Sequence, residues 1–276
     1  MKKTIFWVIG IIIVIVLGYF LVTKPSSTTS SDISGQNNGT SAQGEVVVSF
    51  TDATADIQSV SDVSLNVKKV ELYSQTQGWV TVSNNSAQYQ LLELHAKGQT
   101  KIYARVEVPV DTYSRSRVTL GDVVVHTSAG AQKTAAVPSK TLDIQGNVYV
   151  KANQTSSLKL DVLADKSLHL TAKGDYVFAP VVHVESRSNT TVDTASDGVV
   201  TINGGSVDTS SSVGMDIDGS LKANFQLDTN VKLDVGSTGT ISILGGASGL
   251  IRTTATTSTG TVNGTVNGTV NGVINY

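Results

Sequence analysis

The sequence has 276 residues and no cysteine, which excludes disulfides, thiolate metal sites, a cysteine nucleophile and a lipid-modified N-terminal cysteine. Its formal net charge of −2 gives no electrostatic basis for binding nucleic acid. Charged residues make up 15% of the chain and aromatic residues 5%, while Thr, Ser, Val, Gly and Asn dominate. This composition favours strands and turns, because β-branched side chains fit a pleated sheet and Gly, Asn and Ser fit its turns.

The first predicted element is an uncharged, apolar stretch over residues 4–23. As an α-helix it would reach about 30 Å, which is the hydrocarbon thickness of a bilayer. Two lysines precede the stretch and one follows it, so the positive-inside rule places the N-terminus in the cytoplasm and the remaining chain outside. A cleavable signal peptide is the alternative, but no Ala-x-Ala-like site follows the run. We therefore predict a cytoplasmic tip and transmembrane anchor over residues 1–24.

Residues 25–43 are rich in Ser, Thr, Asn and Gly, and we expect them to form a flexible spacer. From 44 to 187 short apolar alternations recur about every 8–12 residues with turn signals between them, a spacing typical of a sandwich or barrel. We expect an all-β fold here, an antiparallel β-sandwich of the immunoglobulin or transthyretin-like kind. No stretch outside the anchor shows sustained helical periodicity.

One of these alternations changes phase. Val63, Leu65 and Val67 share one parity, and Val70 and Leu72 continue on the other. Because side chains alternate along a strand, the change at the two lysines between them predicts a β-bulge or a strand break.

The residue pattern changes again after residue 187. Residues 188–259 keep short apolar alternations and are predicted as a β-rich second region that packs on the sandwich or on itself. Residues 260–276 form a tail with a Gly-Thr-Val-Asn repeat. Its even period allows an amphipathic strand, while its Asn-Gly steps equally allow turns or disorder.

The middle of the chain, from about residue 44 to 186, carries a set of short motifs in a fixed order. They are Thr51-Asp52-Ala53 with Asp56, Val67-Lys-Lys-Val-Glu-Leu72, Gly78-Trp79, Leu91-Leu-Glu-Leu94, Tyr113-Ser-Arg-Ser-Arg-Val-Thr-Leu120, Leu160-Asp-Val-Leu-Ala-Asp-Lys-Ser167 and Tyr176-Val-Phe-Ala-Pro-Val-Val182. In these motifs the chain resembles the family of the domain of unknown function 4382. The resemblance implies an exported β-sandwich, and it implies no established activity and no catalytic residues.

Asp52 and Asp56 bracket the turn after the first predicted strand. Two carboxylates on a loop can bind a calcium ion if backbone carbonyls complete the shell, and this pair is the candidate metal site. The alternative is that both close Asx-turns, since no third acid is nearby.

His169 and His183 each stand between apolar neighbours and could ligate zinc if they lay side by side. A turn at Lys173-Gly174 would place His169 opposite about Phe178, which leaves His183 about 16 Å further along. We therefore expect two separate, outward-facing, solvated histidines.

Tyr113, Arg115 and Arg117 share one strand face by parity. An arginine fork matches a carboxylate and a tyrosine ring stacks on a sugar, so these three are the candidate contact residues for an anion or a glycan. A solvated outer face is the alternative.

The chain lacks the Gly-x-Ser-x-Gly, His-Glu-x-x-His and phosphate-loop motifs, so we expect neither an enzyme nor a bound cofactor. The first hypothesis is an extracytoplasmic protein, anchored in the cell membrane through residues 4–23, with a structural, adhesion or surface-interaction role. The second is a binding module or sensor for a glycan, a small molecule or calcium. A secreted hydrolase ranks third. The expected partners are the membrane and a surface protein or glycan, with no nucleic acid.

Overall fold

The computed structural model describes residues 42–53, 57–228 and 231–244, and over these residues the chain is all-β. One six-stranded sheet, sheet I, has the spatial order β16–β15–β12–β9–β1–β5. Its strands are β1 (Gln43–Thr51), β5 (Lys101–Pro109), β9 (Thr155–Val162), β12 (Val181–Ser188), β15 (Ser206–Met215) and β16 (Leu221–Ala223).

A second six-stranded sheet, sheet II, has the order β3–β2–β6–β7, with β4 paired to β2 and β8 paired to β6. Its strands are β2 (Val60–Ser74), β3 (Gly78–Ser83), β4 (Ala87–Gln90), β6 (Asp111–Thr127), β7 (Gln132–Ala135) and β8 (Thr141–Val150). The long strands β2 and β6 pair along most of their length and form its centre.

Three hairpins and two short helices complete the described part of the chain. The hairpins are β10 (Leu168–Leu170) with β11 (Tyr176–Phe178), β13 (Thr191–Thr194) with β14 (Val200–Asn203), and β17 (Leu233–Val235) with β18 (Ile241–Ile243); the helices are α1 (Leu91–Lys97) and α2 (Ala164–Ser167). The seven-residue α1 was not predicted, because a helix of two turns is too short to show a 3.6-residue period.

The inward faces of the two sheets form one hydrophobic core, which makes the fold β-sandwich-like. On β9, Leu158, Leu160 and Val162 are buried while Lys159 and Asp161 between them are only partly covered. On the opposing sheet Leu65 and Leu72 enter the same core. The all-β prediction is therefore confirmed, and it rests on period-two burial of apolar side chains.

The strand pairing confirms one prediction and corrects another. The β2–β6 register shifts between Val67 and Lys69, so the predicted phase change is a β-bulge inside one continuous strand. The expectation of a purely antiparallel sandwich is wrong at one place, because β1 and β9 pair in parallel. More than a hundred residues separate these two strands, so no hairpin turn constrains their relative direction.

Sheet I continues past residue 187. Strand β12 ends at Ser188, and β15 pairs with β12 to extend the sheet. The described residues after β16, 224–228 and 231–244, are called the C-terminal segment. Four of its apolar residues pack around Val177 as a second, smaller core; they are Phe225, Leu227, Val231 and Leu233.

Within residues 42–53, 57–228 and 231–244, no helix is both long and apolar enough to cross a membrane. The predicted anchor over residues 1–24, nearly all of the predicted spacer over 25–43 and the repeat tail over 260–276 lie outside the described residues.

Candidate functional site

The outward face of sheet II carries polar and aromatic side chains in rows that run across the strands. Since alternate residues point to opposite faces, burial of Val70, Leu72 and Val118 turns the residues between them outward. One row crosses β3, β2, β6 and β8 as Trp79, Tyr73, Arg115 and Gln145, and the next row as Thr81, Glu71, Arg117 and Asp143. We call Tyr73, Trp79, Arg115 and Arg117 the arginine face.

Arg115 is stacked on the two aromatic rings of its own row. Its guanidinium carbon lies 4.3 Å from the centroid of the Tyr73 ring and 5.4 Å from that of Trp79. The two rings are themselves 5.1 Å apart. A cation over a ring face is attracted by the ring quadrupole, so these contacts hold the guanidinium plane in place. Among the described residues no carboxylate lies within ion-pair distance of Arg115.

Arg117 differs from Arg115 because its charge is matched. Its guanidinium carbon lies 3.9 Å from the Trp79 ring centroid, and its Nη2 donates to Asp143 Oδ2 at 2.7 Å. Glu71, which belongs to the same row as Arg117, has its own cation, because Lys69 Nζ lies 2.6 Å from Glu71 Oε1. The two carboxylates therefore each have a cation, and Arg115 is left with donors that face solvent and no acidic partner. An anionic group from another molecule can bind there, because the guanidinium fork matches a carboxylate in a bidentate way.

Tyr113 is not part of this face, and its predicted grouping with the two arginines is wrong. Its side chain is fully buried, and its hydroxyl donates to the carbonyl oxygen of Pro109 at 2.9 Å. Burial raises the pKa of the Tyr113 phenol to about 12. The β6–β8 register shifts between Tyr113 and Arg115, so residues on the two sides of the shift point to opposite faces.

The aromatic residues beside the two arginines are Tyr73 and Trp79, and neither is predicted as a contact residue from the sequence. Trp79 stood in a family motif, and the parity of β2 puts Tyr73 on the outward face. The missing information was which strands are neighbours, since a three-strand row forms only after β3, β2 and β6 have paired.

Only one member of the candidate metal pair lies among the described residues. Asp52 is buried at 3% exposure, and its Oδ1 accepts from the backbone N–H of Ala164 at 3.4 Å. Asp56 lies outside the described residues. In the part of the chain that is described, no cluster of three His, Asp or Glu residues is arranged to hold a metal ion. A calcium site at this pair stays a prediction.

The predicted exposure of His169 is wrong. His169 pairs with Val177 rather than Phe178, one position from the expected register, and its side chain is only 4% exposed. Val177 belongs to the smaller core, so His169 lies beside the C-terminal segment. Burial lowers the pKa of the imidazole to about 4, although Asp228 acts in the opposite direction.

His183 is separate from His169, as predicted. It lies on β12 between Asp161 of β9 and Ser212 of β15, and its Nδ1 is 3.1 Å from Ser212 Oγ. Burial raises the pKa of the Asp161 carboxyl.

A further serine–histidine contact occurs on sheet II. Ser64 Oγ lies 2.9 Å from His126 Nε2, and Asp62 pairs with His126 across the strands. Ser64 is 1% exposed, and its hydroxyl donates to Gln90 Oε1. A nucleophile must reach its substrate, so this buried and already bonded hydroxyl does not form an accessible hydrolytic site.

Comparison with known proteins gives one match. The family model described as Domain of unknown function (DUF4382) matches residues 43–180, which is half of the chain and includes all of sheet II. No match is found among curated proteins or among solved structures.

Proposed function

The chain belongs to the family described as Domain of unknown function (DUF4382), and from this premise we propose that it is a membrane-anchored extracytoplasmic β-sandwich protein with an adhesion or surface-interaction role. The anchor is the apolar stretch over residues 4–23, and the displayed body is a sandwich of the immunoglobulin or transthyretin-like kind. Its contact surface is the arginine face, and the partner surface is anionic.

The observation that carries this proposal is the state of Arg115. A surface arginine usually has a nearby carboxylate or moves freely in water, and either arrangement changes the free energy of folding very little. Arg115 is instead held on Tyr73 and Trp79, and its outward donors have no acidic neighbour among the described residues. A side chain that is already ordered loses little conformational entropy on binding, so it suits a contact surface.

Binding of the detergent-solubilised full chain to beads that carry carboxylates, compared with neutral beads, tests the proposal. We expect Arg115→Gln to weaken retention on the carboxylate beads by about fivefold or more, in line with the loss of a charge-assisted bidentate contact. Lys232→Gln is the matched control, because it removes the same charge from an exposed position in the C-terminal segment. Equal weakening by both variants would reduce the effect to net charge and overturn the proposal.

A further inference from the structure

Tyr149 is a third aromatic residue on the outward face of sheet II, apart from Tyr73 and Trp79. Its neighbours Val148 and Val150 are buried in the main core, so the tyrosine ring between them points away from it. Its side chain is 36% exposed, and its hydroxyl accepts from Asn147 Nδ2 at 3.3 Å. Among the described residues it is the one exposed large apolar side chain on a strand of sheet II.

The register fixes the separation between Tyr149 and Arg115. Tyr149 pairs with Thr112 on the adjacent strand, and Thr112 is three residues before Arg115 on β6. The strand rise places the two positions about 10 Å apart along the strands and about 5 Å apart across them. The ring and the guanidinium are therefore on one face, and because Arg115 is stacked on Tyr73 and Trp79, on the side away from β8, a ligand of more than one sugar is needed to span them.

On the β6–β8 side, the groups that pair with or bond to these two anchors are polar and uncharged, while the charges of the next row are matched within it. Gln145 pairs with Arg115, Thr112 pairs with Tyr149, and Asn147 adjoins the Tyr149 hydroxyl. Amide and hydroxyl groups both donate and accept hydrogen bonds, which matches the hydroxyls of a carbohydrate. A protein partner would instead need a buried apolar centre, and on this face Tyr149 stands alone while the partly covered rings of Tyr73 and Trp79 lie under Arg115.

We propose that the outward face of sheet II binds an acidic oligosaccharide of more than one sugar, with a uronate carboxylate on Arg115 and a pyranose ring against Tyr149. This rests on the proposed function, because it names the anionic partner of the arginine face. The unmatched charge of Arg115 selects the acidic group, and the separate ring of Tyr149 makes the affinity depend on chain length.

The test uses oligogalacturonates of increasing length and their neutral methyl esters as ligands for the detergent-solubilised full chain. The sequence has two tryptophans, so Trp7→Phe leaves Trp79 as the one fluorescent reporter, stacked against Arg115. We expect the affinity to rise by about tenfold or more from monomer to tetramer, because a second contact becomes effectively intramolecular. The methyl esters should bind more weakly than the acids at every length.

Two variants assign the contacts. Tyr149→Ala should remove the gain with chain length while leaving the preference for acid over ester, and Arg115→Gln should remove that preference. Lys232→Gln should change neither. Affinity that is independent of length, or equal for acids and esters, would overturn the oligosaccharide assignment. If the sugars did not bind while the carboxylate beads were still retained through Arg115, or while an acidic protein bound, this inference would fail and the proposed function would stand.

Discussion

At the scale of single residues, the arginine face contains one balanced and one unbalanced guanidinium. Arg117 is neutralised by Asp143 at 2.7 Å, whereas Arg115 has aromatic partners only. The two side chains are two residues apart on the same strand and contact the same Trp79 ring. Their difference therefore comes from the carboxylate on the neighbouring strand and from nothing in β6 itself.

Asp143→Asn should strengthen the binding of carboxylate ligands. The substitution leaves Arg117 on the Trp79 ring but removes its acidic partner, so a second fork becomes available. An exposed ion pair is worth up to about 1 kcal/mol, and we expect a gain of at most about fivefold in affinity. Titration with oligogalacturonate would measure it. Asp122→Asn, which removes a carboxylate paired with Lys140 away from the arginine face, is the control, and an equal gain there would contradict the reasoning.

His169 should make the stability of the folded chain depend on pH. The unfolded chain binds a proton on this histidine below about pH 6.5, while the folded chain binds it only below about pH 4, because burial lowers the pKa. Unfolded molecules thus hold more protons within this window. The free energy of unfolding should fall by roughly 3 kcal/mol as the pH drops through it.

Chemical unfolding of the full chain at pH 7 and pH 4.5 would measure this loss. His169→Leu should flatten the pH dependence, since no proton is then taken up at this position. His95→Gln, on the partly exposed helix α1, should leave it as in the parent protein. If His169→Leu retained the full pH dependence, a titrating group other than His169 would be responsible for it.

At the scale of whole elements, the C-terminal segment is tightly seated on β15 at Gly214. A Cβ atom added there would lie 2.0 Å from the backbone oxygen of Phe225 and 3.2 Å from Cδ1 of the Phe225 ring. Phe225 is 2% exposed in the smaller core, so neither group has room to move. Only glycine permits this approach of the two backbones.

Gly214→Ala should therefore destabilise this segment by about 1–3 kcal/mol, the usual cost of overpacking. Hydrogen exchange should show the greatest loss of protection at residues 221–228 and 231–235. Gly236→Ala is the control, because its nearest neighbour would be at an ordinary 3.5 Å. Unchanged protection in Gly214→Ala would mean that Phe225 is not held against β15.

The elements also show where the sequence was informative. The recurring alternations over residues 44–187 predicted strands such as β9, and the phase change beside Lys69 predicted the β2 bulge, because both are local consequences of a two-residue period. Tyr113 was misplaced because the register shift that turns it inward involves pairing with β8, where Gly146 approaches Thr209 of another sheet. The parallel β1–β9 pair is likewise invisible locally, since long-range pairing leaves no periodic signal.

At the scale of the whole molecule, the two sheets present different outer faces. On sheet I, hairpin β13–β14 packs Val192 and Val200 over Val47. Arg105 links the hairpin to β1, because it donates both to the Val192 carbonyl and to the Glu45 carboxylate. On sheet II, the partly exposed arginine face carries an unmatched positive charge. The residues matched by the family model supply all of sheet II but only β1, β5 and β9 of sheet I. The proposed contact surface thus lies entirely within the family domain.

The most direct test of the central proposal is to map the accessible surface on intact cells. The chain has no native cysteine, so Thr81→Cys, exposed beside the arginine face, and Lys232→Cys, in the C-terminal segment, each give a single labelling site. We predict that a membrane-impermeant maleimide labels both on intact cells, and that added polygalacturonate protects Thr81→Cys while Lys232→Cys still reacts. Labelling of neither site before lysis, or equal labelling of both with polygalacturonate present, would contradict an extracytoplasmic protein that binds acidic partners through the arginine face.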